Sequence, residues 1–334
     1  MTTTTLRYLL CVFSMLTIAG CAVKSDVKVI KLGHALDVNH SVHKAMVFLA
    51  EKVEEKSNVI MRNDVNPNGQ LGSERELLEL LQIGSIGMTK ASAAVLESFM
   101  PSMAVVNLPY VFHSKDHYRK VLGGEIGREL LTSGEEFWMR GMCFYDAGSR
   151  SFYSKDKPIM KPEDLQGLKV RVQSSASAIQ MVRLLGGSAT PIPFGELYTA
   201  LQQGVVDAAE NNPPSLYLTR HYEVCRYYSL NEHTFVPDVM LVSTHTWNDL
   251  NDEQKKWLSE ASYESAVHQR TLWEESEKEA LDAMIADGVH VEYPEKGPFI
   301  EKVKPMLDAF ANTEYRKKLL ERIEAVDESA KTKN

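Results

Sequence analysis

Cysteine is scarce in this chain. Its 334 residues include only Cys11, Cys21, Cys143 and Cys225, too few for a disulfide framework to be the source of the fold. Long apolar runs are also few. The longest, Leu9 to Ile18, falls short of the ~20 residues a membrane-spanning helix needs. Positive charge is in deficit, with 37 Lys and Arg against 45 Asp and Glu. The resulting net charge of −8 argues against nucleic acid or an anionic membrane surface as partner. No Gly-x-Ser-x-Gly occurs, nor any Gly-x-Gly-x-x-Gly after a strand, so the hydrolase elbow and the dinucleotide fingerprint are both missing. There is no internal repeat and no low-complexity tract. What remains is ordinary: 44% hydrophobic and 25% charged residues describe a soluble globular protein, long enough for two or three domains with ample core.

The N-terminus reads as a secretory signal over residues 1–20. Arg7 precedes the apolar run, and Ala19-Gly20-Cys21 closes it with small residues. Ile18-Ala19-Gly20-Cys21 also fits a lipobox, in which cleavage precedes a cysteine that becomes lipidated, here Cys21. An extracytoplasmic location follows. Cys143 and Cys225 could pair in an oxidising compartment, but their apolar and aromatic neighbours favour two buried free thiols.

From Lys28 the pattern alternates. Strands are expected at 28–33, 59–65 and 84–89, with helices between them, and this β-α-β-α-β order implies a mainly parallel sheet. Ser73 and Glu76 form a capping box ahead of Leu77 and Leu78. An apolar segment follows at 103–112, a helix at 116–131 and a strand at 137–145. A second α/β unit starts near residue 150, with strands at 168–173 and 204–209, helices at 177–185 and 195–203, and a third helix after Pro213-Pro214. Another strand is expected at 236–243. Residues 251–286 read as one helix capped by Asn251 and Gln254, about 50 Å long and able to bridge two units. Its apolar stripe is read as Trp257, Leu258, Ala261, Ser265, Val267 and Leu272. A strand at 289–293 and further helices complete the chain.

The stretch from Arg150 to Asn212 carries the chemistry. Leu168, Val170 and Val172 alternate as one buried face of a strand, which puts Arg171 on the other face. An arginine there needs an anion, because it cannot be deprotonated and its planar fork matches a carboxylate. That anion is either an intramolecular Asp or Glu or an external acid. Arg150, after Asp146-Ala-Gly-Ser149, adds a second cation at a strand-to-loop switch and points toward the external acid. The histidines offer a metal reading: His34, His40 and His43 cluster, and His113 and His117 stand four apart. No acidic partner completes a known motif, so they are read as surface or helix-end residues, with His40 kept among the ligand candidates.

Taken together, Gln70-Leu-Gly72, Leu108-Pro-Tyr110, Gly167-Leu-Lys-Val-Arg171-Val, Pro191-Ile-Pro-Phe194-Gly-Glu-Leu-Tyr198 and Gly204-Val-Val-Asp207-Ala-Ala-Glu210-Asn211 resemble the extracytoplasmic solute-binding proteins of TRAP transporters, the C4-dicarboxylate-type family. The resemblance runs from about Val27 to Val326. It implies a two-lobed, periplasmic-binding-protein-like α/β fold whose two domains are joined by hinge strands and a long bridging helix. The expected lobes are 27–148 with 237–276, and 149–236 with 277–330. No catalysis and no cofactor are implied. The expected partners are a small organic or sugar acid and the TRAP permease subunits, with the protein itself a monomer.

Residue by residue, the resemblance implies that Arg171 clamps the carboxylate and that Arg150 is a second arginine. It further implies that Asn211 is the family's asparagine after Asp-x-x-Glu, that Phe194 walls the cleft and that Glu74 takes ligand hydroxyls. Asn212 and Lys90 look like the hexuronate-binding members. Gln173 joins them as a polar cleft candidate. Gln173, Ser174 and Asn212 could equally be local caps, and Lys90 a solvated strand end. A dicarboxylate is the competing ligand, with Arg150 or Lys90 as its second cationic end. A ligand-binding sensor subunit is the competing role.

Overall fold

The β-branched segments of the sequence become strands of two separate sheets. The structure is a computed structural model that describes residues 27–331, so the expected signal segment and Cys21 lie outside the described residues. One sheet has the order β2-β1-β3-β10-β4: Met61–Asn66, Lys28–Gly33, Met88–Ser92, Asp238–Ser243 and Met139–Tyr145. β1 runs parallel to β2 and β3, and β10 runs antiparallel to both its neighbours. The second sheet has the order β11-β9-β5-β8-β6-β7: His290–Glu292, Tyr227–Thr234, Arg150–Ser154, Ala208–Asn211, Lys169–Val172 and Ser188–Pro191. β6 runs parallel to β7 and β8, and β5 antiparallel to β8 and β9.

Each sheet is covered by helices, so the molecule is a two-lobed α/β structure. The chain leaves the first sheet at 146–149, returns at 235–237, and crosses again along the helix Asp252–Ala286. That 35-residue helix starts with the expected capping box, Asn251 with Gln254. It packs along Ser41–Lys56 of the first lobe and reaches Pro213–Leu218 of the second. Its core stripe differs in detail from the sequence reading. Leu258, Ala261 and Ser265 are buried, but Val267 is exposed and Trp273 is fully buried beside the exposed Thr271. Each fully buried Leu or Met contributes roughly 1.5–3 kcal/mol, so the stripe ties the helix to both lobes.

Several boundaries shift. The third strand is Met88–Ser92, not 84–89, because Asp238 to Val242 pair along it and extend it. Gly84, at φ +73, instead makes the turn before it. The apolar segment after residue 100 is largely a 3-10 helix, Pro101–Asn107. The expected helix at 116–131 divides at Gly124, whose backbone is extended, into Lys115–Gly123 and Glu125–Thr132. The helix Glu314–Lys331 packs on Lys115–Gly123. Within this contact His117 Nε2 meets the Ile323 carbonyl at 2.9 Å. Part of 277–330 therefore touches the first lobe.

Candidate functional site

The two buried arginines of the second sheet stand on strands that flank β8. Arg150 opens β5 and Arg171 lies inside β6. Glu210 and Asn211 lie on β8, between them. Their fates differ. The Arg150 guanidinium is paired with Glu210: Nε donates to Oε2, and Nη2 to Oε1 at 2.8 Å and to the Glu210 carbonyl at 2.7 Å. Its Nη1 donates to Asn211 Oδ1 at 2.9 Å. Burial opposes the Glu210 charge, but Arg150 and His233 more than offset it and hold the carboxyl down at about 2. Arg150 is thus an internally neutralised cation, which corrects the sequence reading of it as a second free cationic end.

Arg171 has no such partner. It is 2% exposed, and among the described residues no carboxylate lies within ion-pair distance of it. Nε donates to the Ile192 carbonyl at 2.9 Å, and Nη1 is buried with no partner. The Phe194 ring, opening the turn Phe194–Glu196, lies 5.9 Å from its Cζ. Burial lowers the Arg171 pKa from its ordinary value, against the weaker pull of Tyr153 and Glu210. A charge held in that state lacks the anion that normally compensates it. Among the described residues Arg171 therefore makes no intramolecular ion pair, the first of the two alternatives the sequence left open.

Arg171 borders a cavity of about 120 Å³ that it shares with Glu74, Gln173, Ser174 and Phe194. A second cavity, of about 40 Å³, is bounded by Glu74, Gln173 and Phe194 as well, and adds His40, Lys90, Arg150, Asn211 and Asn212. These cavities bring all nine sequence candidates together between the lobes. Asp238 and Trp273 join them, and sequence reasoning missed both. Neither lies in a motif, and each enters the cleft from a segment beyond residue 237, on β10 and on the long helix.

Lys90 is not a solvated strand end. It is 3% exposed on a central strand, with Glu74 Oε1 at 2.6 Å and Asp238 Oδ1 at 3.0 Å. Burial works against its charge, but Asp238 and Glu74 outweigh this and push its pKa up to about 12. Asn212 is occupied locally: Oδ1 accepts from Ser215 N at 2.9 Å as the cap of Pro213–Leu218, and Nδ2 donates to the Ala147 carbonyl at 3.0 Å. Asn211 gives its oxygen to Arg150 and to Asn212 N, which leaves its NH2 group for the cavity it borders. Ser92 Oγ donates to Gln173 Oε1 at 3.4 Å, a contact from one lobe to the other.

The histidines are more buried than their sequence reading. His34, His40 and His117 are at most 4% exposed, and only His40 is a helix cap. His34 Nε2 meets His43 Nδ1 at 3.0 Å. Cys143 and Cys225 are free and buried, and burial pushes both thiols up to about 12.

A family model, bacterial extracellular solute-binding protein, family 7 (DctP), matches residues 32–314. The chain belongs to the DctP family. Members of this family are binding proteins. A TRAP periplasmic solute-binding protein from Anaerococcus prevotii, solved with bound α/β-D-glucuronate, is 37% identical with a TM-score of 0.88, covering 90% of this chain and 99% of that one. One from Xanthobacter autotrophicus, solved with bound β-D-galacturonate, is 35% identical with a TM-score of 0.87, covering 89% and 99%. A solute-binding protein of Chromohalobacter salexigens is 34% identical over 268 residues, 80% of either chain.

Proposed function

We propose that this DctP-family protein captures a hexuronate, such as glucuronate or galacturonate, between its lobes and delivers it to TRAP permease subunits in the membrane. The observation that carries the reading is Arg171, a buried guanidinium that has, among the described residues, an unpartnered Nη1 and no carboxylate partner. A ligand carboxylate supplies what it lacks, and a planar fork receives it bidentately. The bound ligands of the two similar structures support the choice of acid. The pairing of Arg150 with Glu210 and of Lys90 with Glu74 and Asp238 weighs against a dicarboxylate, which would need a second uncompensated cation. Lipidation at Cys21 would hold the protein at the outer face of the membrane, where mass spectrometry of the mature protein would detect the added mass.

A thermal-shift panel of uronates, aldonates, dicarboxylates and sialic acid tests the ligand. A ligand at 100 times its dissociation constant adds about 2.7 kcal/mol of stability. The uronates are expected to give the largest shifts. A panel in which dicarboxylates shift most would reject the reading.

A further inference from the structure

A further cavity lies outside the cleft, on the flank of the first lobe. It measures about 240 Å³ and sits between the helices Lys115–Gly123 and Glu125–Thr132, the edge strand β4 and the bridging helix. Its floor is apolar: Leu122 and Leu131 come from the two short helices, Met142 and Phe144 from β4. Tyr263 and Val267, on successive turns of the bridging helix, line it as well and are 70% and 48% exposed. Three arginines complete the lining. Arg119 is taken: Nε and Nη2 donate to Asp146 Oδ2 at 3.0 and 2.7 Å, and Nη1 to Glu274 Oε1 at 2.8 Å. Asp146 is the only acid among the described lining residues, and its Oδ1 already accepts from Gly148 N at 3.0 Å. Arg128 and Arg270 are exposed and make no side-chain hydrogen bond or ion pair among the described residues. Positive charge is thus concentrated at this cavity, on a protein whose net charge is −8.

We propose that this cavity is a second acid-binding site, one that takes a small monoanion with an aromatic body. Arginine stays charged throughout the physiological range, so Arg128 and Arg270 both have charge to share with a carboxylate. The apolar floor receives the body of the ligand, and Phe144 and Tyr263 offer it ring contacts. The volume falls below the ~300–1,000 Å³ of drug-sized ligand sites, which limits the ligand to about one ring and its acid group. A uronate fits poorly, because its hydroxyls would lie against the apolar floor without partners. An uncharged ring would gain nothing from the two guanidinium groups. Both arginines are exposed, so their attraction is screened by salt. The cavity shares no lining residue with those of the cleft, so the second site stands or falls apart from the hexuronate reading.

The test is calorimetric titration of the mature protein, first saturated with D-glucuronate, with phenylacetate and with its neutral amide, phenylacetamide. Phenylacetate is expected to bind saturably, at least about fivefold more tightly than the amide, and more weakly as salt rises. Arg128→Gln combined with Arg270→Gln is expected to erase that preference and to leave glucuronate binding unchanged. Both side chains are exposed, so the fold should hold. Arg171→Ala is expected to lose glucuronate and to keep phenylacetate. Phenylacetate that glucuronate displaces would belong to the cleft and would overturn the second site. Absence of saturable phenylacetate binding would overturn it as well, as would a preference over the amide that survives the double variant. If the wild type binds no glucuronate, the hexuronate reading falls, and the same titrations on the unsaturated protein decide the second site alone.

Discussion

Glu210 lies on the strand between Arg150 and Arg171 and pairs with Arg150 alone. The antiparallel register of β5 and β8 sets Phe152 opposite Glu210 and Ser151 opposite Asn211, which brings the Arg150 end of β5 to the carboxylate. On the other side of β8, Arg171 faces Ala209 in register and has no acid among the described residues within ion-pair distance. One arginine is thereby paired within the sheet, and the other has no carboxylate partner among the described residues.

Replacing Arg171 separates these roles. Arg171→Ala is expected to cost ~2–5 kcal/mol of ligand binding, roughly 30- to 5,000-fold in affinity, with the fold intact. Arg171→Lys should also bind poorly, since a point charge does not reproduce the fork. Calorimetry showing a loss below about threefold would remove Arg171 from the site.

Breaking the scaffold pair should act on the fold itself. Glu210→Gln leaves Arg150 buried without its countercharge, a change that costs ~3–5 kcal/mol. Thermal denaturation should show a large fall in melting temperature for this variant and little for Arg171→Ala. Equal melting temperatures would contradict the assignment of the two arginines.

Acid should weaken the fold before the carboxylates titrate. His34, His40 and His221 have pKa values lowered by burial from 6.5 to about 3. Between those values the unfolded chain binds protons that the native chain refuses, so stability falls as pH drops. Glu210 acts lower: its stabilising contribution is present above its ordinary value of 4.5 and is lost as pH falls toward about 2. Urea denaturation from pH 7 to pH 4 is expected to show declining stability throughout, and His40→Asn should flatten the slope. A flat profile over that range would count against neutral buried histidines.

Closure should depend on contacts between the lobes. Glu97 follows β3, yet it accepts from Ser175 Oγ at 2.8 Å and from Ser177 N at 3.0 Å, at the start of the helix Ala176–Leu184 in the other lobe. A ligand favours the closed state only by its differential affinity for it. Small-angle scattering should show a smaller radius of gyration on adding ligand, and Glu97→Ala should need more ligand to reach it. A profile that ignores ligand in both proteins would contradict hinge closure.

Much of this was legible in the sequence, for local reasons. The alternation around Arg171, the capping boxes at Ser73 and Asn251 and the length of the bridging helix are all short-range signals. Pairings set by topology were not legible. Lys90 reads as a strand end until β10 supplies Asp238, far along the chain, and Arg150 reads as a free cation until β8 supplies Glu210. Trp273 lies off the expected stripe, which ran through Val267 and Leu272, whereas Val267 faces solvent and Trp273 is buried. Asn212 did carry a readable cue: an asparagine before Pro213-Pro214 is in helix-cap position, and that is where it acts.

The central claim is that the site takes an acid with one carboxylate and a hydroxylated body. Competition binding to the wild-type protein tests it most directly, with D-glucuronate and D-galacturonate set against succinate and malate. A uronate is expected to displace both diacids, because Arg150 and Lys90, the other cations of the cleft, are already paired with Glu210 and with Glu74 and Asp238. Tighter binding of succinate or malate than of both uronates would contradict it.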